Sequence, residues 1–304
     1  MLVIVLWMMS LLAVLAASFS NVMRTESTLA LAARQEAEAH ALTEAGLRYA
    51  VSRLQEDDPE TQLPKNGHIV TWRFAGSRVK ISVVNERGLI SLNKASRGLL
   101  ESLFRWAGMS KDPAAVLAAS VIDWRDSNDA REVNGAEDPD YKRAGLEYGA
   151  KDAAFDTVEE LRQVIGMKQE TYEKVVPLVS AASLSQGVNP SLAPYEVLAV
   201  LANGKTDRLE EFVRTRATQE DAPVPQFGQE YHAQGQSQFY RIRVQAPSTG
   251  EVSAYEEFVI APQADRQPPY FVKARLQPIR MPREFIQAES RVASETVSGA
   301  TEGR

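Results

Sequence analysis

The sequence predicts an α+β protein in which a long N-terminal helix lies on a small antiparallel sheet and a large all-helical domain is inserted between strands. Three observations carry this. An apolar N-terminus runs into an unbroken helix-forming stretch. Strand-like segments occur only before about residue 92 and after about residue 220. Everything between reads as one short helix after another.

The long helix comes first. No charge precedes Arg24, and the apolar run covers Leu2 to Phe19. As a helix it measures about 27 Å, close to the thickness of a bilayer's hydrocarbon core. A cleaved secretory signal is the alternative, since ASFSN offers small residues for a cut; against it, no basic region precedes the run, which also exceeds a usual signal core. From Asn21 to Leu54 there is no proline and the only glycine is Gly46, so the helix is expected to continue. Leu47, Ala50, Val51 and Leu54 repeat at i, i+3, i+4 and i+7, an apolar stripe that must pack on something. Residues 1–20 are thus assigned as a transmembrane segment and 21–56 as the helix continuing outside the membrane.

Residues 57–92 open the sheet: HIVTWRF and SRVKISVV read as strands joined through Ala75 and Gly76, with Val79, Ile81 and Val83 on one face. Residues 220–286 return to it. SQFYRIRVQ and EVSAYEEFVIA pair around PSTG, with Tyr240, Ile242 and Val244 on one face, and YFVKARLQP adds another strand. TQEDAPVPQFGQ is the expected return linker, and the polar residues 287–304 are expected to be a disordered tail.

Residues 93–219 form the inserted helical domain. Ser96 caps a helix carrying Leu99, Leu100, Leu103 and Phe104 to a stop at Gly108. Pro113 opens another, with Val116, Leu117, Val121 and Trp124 on its buried face. Thr157 and Glu160 make a capping box ahead of Leu161, Val164 and Ile165, and Pro194 opens a helix through Val197, Leu198 and Leu201 to Gly204. GLISLNKASRGLLESLF resembles GVNPSLAPYEVLAVL, so the region holds a weak internal repeat in which an asparagine turn precedes a helix.

Charge is concentrated in one place. The chain has 34 Lys+Arg against 40 Asp+Glu, a net of -6. The stretch DWRDSNDAREVNGAEDPDY, Asp123 to Tyr141, sets seven carboxylates against two arginines. Asp123 and Asp126 fall at a helix C-terminus, the wrong end of its dipole for an anion. A hard divalent cation answers this, because Ca²⁺ accepts carboxylates, Asn side chains and backbone carbonyls alike. The candidate ligands are Asp123, Asp126, Asn128, Asp129, Glu137 and Asp138, with Gly135 allowing a tight turn. A structural Ca²⁺ and a solvated acidic loop both fit the spacing, and the EF-hand pattern does not.

Other chemistry fares worse. Net acidity makes nucleic acid a poor partner, and with no cysteine there are neither disulfides nor Cys-based zinc sites. No nucleophile, base and orienter assemble around His40, His68 or His232, so no catalytic residue is assigned and the protein is read as non-enzymatic. The GKT of ANGKTD lacks the leading glycine of a phosphate loop, and Ser91 with Lys94 has no companion motif. VIGMKQETYEKVV resembles half of a helix-hairpin-helix, but Lys168 stands where that motif needs a second glycine; a membrane-anchored, DNA-handling competence protein is therefore the rival reading.

Together, the apolar N-terminus with its long helix, GLISLNKAS, DWRDSND, NGAED, FDTVEELRQVIGM and VNPSLAPYEVL resemble the K family of type II secretion minor pseudopilins. The resemblance spans nearly the whole chain, and DWRDSND with NGAED is its most specific part. It implies a pseudopilin fold and calcium in the acidic loops, held by Asp123, Asp126, Asp129, Glu137 and Asp138, with Asn128 in place of a usual aspartate. It implies partners: minor pseudopilins I and J, other pseudopilins, inner-membrane secretion components, and prepilin peptidase acting on the precursor. It implies a place at the pseudopilus tip, capping and initiating the filament for export across the outer membrane. Its location would be single-pass in a bacterial inner membrane with a periplasmic domain. Pilin-like precursors carry a short basic leader, whereas this sequence opens with MLVIVLW, so the cleavage site cannot be read from it. The glutamate of ordinary pilins is missing here, as is usual for the K type, and this suits a subunit with no neighbour ahead of it.

Overall fold

The computed structural model describes residues 2–218, 223, 225–247, 254–276 and 285. One helix, α1, runs from Leu2 to Leu54, and its buried positions are Ala39, Leu42, Thr43, Gly46, Leu47, Ala50 and Val51. These recur at three- and four-residue steps, so a single stripe touches the rest of the protein. Gly46 sits where the helix crosses the sheet, and a Cβ there would meet the Val244 and Val79 side chains. Upstream, the helix leaves the domain: Leu2 through Leu31 hold its exposed apolar residues, among them Trp7 at 75% exposure.

A hairpin follows, β1 (Asn66–Phe74) and β2 (Ser77–Asn85). Its two connecting residues, Ala75 and Gly76, have φ of 49° and 78°, the doubly left-handed turn that matches strand twist. The next elements belong to the insertion. A two-residue strand β3 (Ile90–Ser91) is followed by α2 (Arg97–Trp106), α3 (Lys111–Arg125), α4 (Asp138–Arg143) and α5 (Gln169–Val175). Then come β4 (Val179–Ser180), parallel to β3, and the pair α6 (Tyr195–Ala202) and α7 (Thr206–Thr218). The sheet resumes with β5 (Tyr240–Ala246), β6 (Ala254–Pro262) and β7 (Tyr270–Leu276), in the order β1-β2-β5-β6-β7 with every neighbour antiparallel.

Register explains how the sheet tolerates the insertion. Asn85 ends β2 directly opposite Tyr240, which begins β5, so the chain leaves the sheet after Asn85 and re-enters at Tyr240, at one point and with wider bounds than the expected 93–219, without opening the ladder. That point lies far from the apolar stem. Gln55, just past α1, donates to the Pro269 carbonyl ahead of β7 (3.1 Å), on the end where β5 starts. His40, earlier on α1, meets Glu256 near the opposite end of β5 and β6 (2.5 Å).

Strand alternation builds two cores. Val79, Ile81, Val83, Ile242, Val244, Phe258 and Ile260 pack with α1, whereas Val84, Val259 and Leu276 point the other way, into the core of the helical insertion. Between them on that second face lies a buried ion network. Arg241 pairs with Glu86 (2.9 Å) and Glu257 (3.4 Å), and Arg243 pairs with Glu257 (3.3 Å). The two guanidiniums also donate to the Val179 and Pro177 carbonyls of the insertion (2.7 and 2.9 Å), which fastens it to the sheet.

Several expectations change. Ser110 caps α3, so Pro113 falls in the first turn but not at its first position. Val116 is 43% exposed, because the stripe through Ala114, Leu117, Ala118 and Val121 leaves it on the flank. The Thr157–Glu160 capping box is present, but the segment it starts, Val158–Gln163, winds as a 3₁₀ helix. α4 was not expected inside the acidic stretch, and the β3–β4 pair is too short to show in the sequence pattern. Most of the PSTG turn, part of the return linker and the tail 287–304 lie outside the described residues.

Candidate metal centre

The acidic stretch begins in the last turn of α3, where Asp123 is fully buried. Its Oδ1 accepts the Glu132 amide (2.9 Å), which folds the following loop back onto the helix end. The loop turns at Asn134, whose φ is 68°. Gly135, expected to make that turn, serves otherwise: a Cβ on it would fall on Asp123 Oδ2. Small side chains earlier in the loop close local turns. Asp126 Oδ1 accepts from the Asn128 amide (3.3 Å), and Asn128 Oδ1 accepts from the Ala130 amide (2.9 Å).

The chain then enters α4 with Glu137 as its cap and Asp140 closing a capping box. Glu137, Asp138 and Asp140 therefore sit at the favourable end of a helix dipole, unlike Asp123 and Asp126. Two of the seven carboxylates are neutralised by arginine. Glu132 pairs with Arg97 (3.3 Å), and Asp140 pairs with Arg143 (2.6 Å) and Arg131 (3.3 Å). Among the described residues, no lysine or arginine pairs with Asp123, Asp126, Asp129, Glu137 or Asp138.

A further carboxylate joins them that sequence spacing did not reveal. Asp152, held at φ 53°, lies close enough to Asp138, Asp129 and Asp126 that their charges oppose its ionisation, after burial as the first cause. The loop carrying it is shaped to the site, because a Cβ on Gly149 would collide with Asp138 Oδ1. Desolvation, then repulsion from Asp123, Asp152, Asp126 and Asp129, pushes the Glu137 carboxyl up to about 7. Asp123 is raised as well, mainly by burial. Under these loops lies an aromatic cluster of Trp124, Tyr141, Tyr148 and Phe155, with centroids 5.8 to 6.4 Å apart.

The donor set suits a hard cation. Asp123 Oδ2, Glu137 Oε1 and Asp152 Oδ1 are buried oxygens with no hydrogen-bond partner, and an unpartnered buried carboxylate oxygen is costly unless a cation compensates it. Among the described residues, no three acidic or histidine side chains converge tightly enough to hold an ion as they stand. Mutual repulsion opposes such convergence, and calcium also draws on amide and backbone oxygens.

Two of the histidines make contacts within the fold. Glu256, the partner of His40, also binds Arg275 (2.7 Å). Nε2 of His232 lies 3.0 Å from the Phe227 carbonyl, and burial lowers its proton affinity. Lys168 caps α5.

Comparison with known proteins gives concordant results. The family model described as type II secretion system (T2SS), protein K, matches residues 81–183. A curated relative, type II secretion system protein K of Pectobacterium carotovorum subsp. carotovorum, is 26% identical over 130 residues, which are 40% of this chain and 39% of the relative. The match thus spans well under half of that relative's length. Among solved structures, the GspK-GspI-GspJ complex from the enterotoxigenic Escherichia coli type 2 secretion system contains a similar fold. The TM-score is 0.56 at 15% identity, covering 83% of this chain and 98% of the other. The resemblance read from the sequence and the expected fold are both borne out, and the DNA-handling alternative is not favoured.

Proposed function

We propose that this chain, a relative of the type II secretion K proteins, is a non-enzymatic minor pseudopilin that caps and initiates the pseudopilus from a single-pass anchor in a bacterial inner membrane. One observation carries the reading. The stem α1 is packed on the sheet only from Ala39 onward, while its first turns, Leu2 to Met23, are exposed and carry no charge, with a mean hydropathy of 2.5 over their most apolar stretch. A bilayer takes up such a surface, and so does a bundle of like helices in a filament.

The insertion 86–239 crowns the opposite end of the sheet. A subunit stacked above would need that end, so the chain can add neighbours below itself only. Minor pseudopilins I and J are the partners this predicts, as the name of the Escherichia coli complex suggests, and prepilin peptidase would process the precursor. Structural calcium belongs to the same reading. Asp123, Asp126, Asn128, Asp129, Glu137, Asp138 and Asp152 would hold it, and its charge would let loops that otherwise repel one another close around it.

The full chain, co-expressed with minor pseudopilins I and J of its own system and extracted in detergent, is expected to elute with both as one complex. Separate elution would overturn the reading. For the cation, thermal unfolding in chelator is compared with millimolar calcium and with magnesium. A calcium-specific rise is expected, worth about 2.7 kcal/mol at a hundredfold excess over Kd, and Asp126→Ala should abolish it.

A further inference from the structure

The internal repeat closes in the same way in both copies. In the first, Arg125 at the end of α3 donates to the Leu92 and Ala95 carbonyls (2.5 and 2.7 Å). These stand four residues and one residue before Ser96, the cap of α2. In the second, Arg216 in the last turn of α7 donates to the Pro190 and Ala193 carbonyls (2.9 and 2.7 Å). These stand four residues and one residue before Pro194, the cap of α6. Each copy is therefore a turn, a helix, a glycine reversal and a second helix whose terminal arginine clamps the opening turn. The reversals match too, with φ of 104° at Gly108 and 89° at Gly204.

The copies differ in what surrounds the clamp. Arg125 lies between Asp123 and Asp126, so its two bonds fix the helix end from which the acidic loop departs. The same turn also holds the other side of the candidate site. The Asn93 carboxamide accepts the Phe155 amide (2.7 Å) and donates to the Phe155 and Ala181 carbonyls (3.0 and 3.1 Å), tethering the loop that carries Asp152. At the places that Asp123 and Asp126 hold beside Arg125, the second copy has Arg214 and Ala217 beside Arg216. The second copy therefore has the clamp without the two carboxylates that flank it in the first.

We infer that Arg125 and Asn93 are positioning residues for cation binding. The turn Leu92–Ala95 acts as a common brace that sets the distance between the Asp123–Asp126 and Asp152 arms. This rests on the calcium reading above. Neither side chain touches the ion; each acts through the segment it holds. A planar guanidinium suits the task, because it spans two carbonyls at once with a fixed fork.

The test is a calcium titration by calorimetry on the full chain in detergent, after chelator stripping, for the wild type and the variants Arg125→Met, Asn93→Ala, Arg125→Lys and Arg216→Met. All four variants should lower the unfolding midpoint in chelator. Arg125→Met and Asn93→Ala should weaken calcium Kd tenfold or more, Arg125→Lys should fall between, and Arg216→Met should stay within twofold of wild type. A folded Arg125→Met or Asn93→Ala with wild-type Kd would overturn the inference, as would Arg216→Met weakening Kd equally, since general loosening would then explain the effect. If Arg125→Met fails to fold, Asn93→Ala and Arg125→Lys carry the same comparison. A wild-type chain that binds no calcium fails in a different way, removing the cation reading and this inference with it.

Discussion

At the scale of single residues, the acidic site is governed by two kinds of crowding, steric and electrostatic. Gly135 exemplifies the first. Its missing Cβ is the space that Asp123 Oδ2 occupies, so Gly135→Ala should displace a buried carboxylate and cost about 1–3 kcal/mol. Urea unfolding would measure that loss, and the calcium-induced rise in midpoint should shrink with it. Glu137 exemplifies the second. Its carboxyl is raised to about 7 by desolvation and by neighbouring carboxylates, against an ordinary value near 4.3 when unfolded. The folded state therefore holds a proton that the unfolded chain has released. The stabilisation is complete at low pH and is lost as pH rises through that window. In chelator, the melting temperature should fall between pH 5 and 7, and Glu137→Gln should flatten the fall. Asp140 titrates with the opposite sign, because the Glu137 amide and Arg143 hold its carboxyl low.

At the scale of elements, two junctions decide how the parts are held. The joint between sheet and insertion is ionic and buried: Arg241, Arg243, Glu86 and Glu257 are each at most 5% exposed. Removing one partner strands the others, so Arg241→Met should cost about 3–5 kcal/mol, while Arg241→Met with Glu86→Leu should recover much of it. Denaturant melts of the single and double variants read this directly. The joint between stem and sheet is apolar and close. Gly46 lies against Val244 and Val79, and Gly46→Leu should push α1 away from β5. Loss of near-ultraviolet signal from the Tyr49–Trp72 stack, whose centroids are 4.4 Å apart, would report it.

At the scale of the whole molecule, the two cores divide the protein into a stem-and-sheet part and a crown, with the same strands serving both. Calcium is proposed to act in the crown alone. In hydrogen exchange, adding calcium should slow the amides of residues 123–155 and leave those of 40–51 and 79–84 unchanged. Protection spreading equally through both cores would mean that the two faces of the sheet are energetically one, and would count against a local cation loop.

The sequence by itself determined the stem, the strands and the concentration of carboxylates, because these are written in local pattern. An unbroken run of helix formers, a period-two alternation and a knot of carboxylates each reveal themselves within a few residues. Most of the candidate donors were legible in this way. Tertiary structure decided what depends on residues distant along the chain. Asp152 joins Asp126 and Asp138 only because the Gly149 loop folds back over them. Glu132 and Asp140, which were not among the expected ligands, have their charge taken up by Arg97, Arg131 and Arg143, pairings that only the fold shows. The clamp of Arg125 on Leu92 and Ala95 has no sequence signature either. A hydrogen bond between a side chain and a remote carbonyl leaves no periodic trace, and the fold alone brings its two ends together.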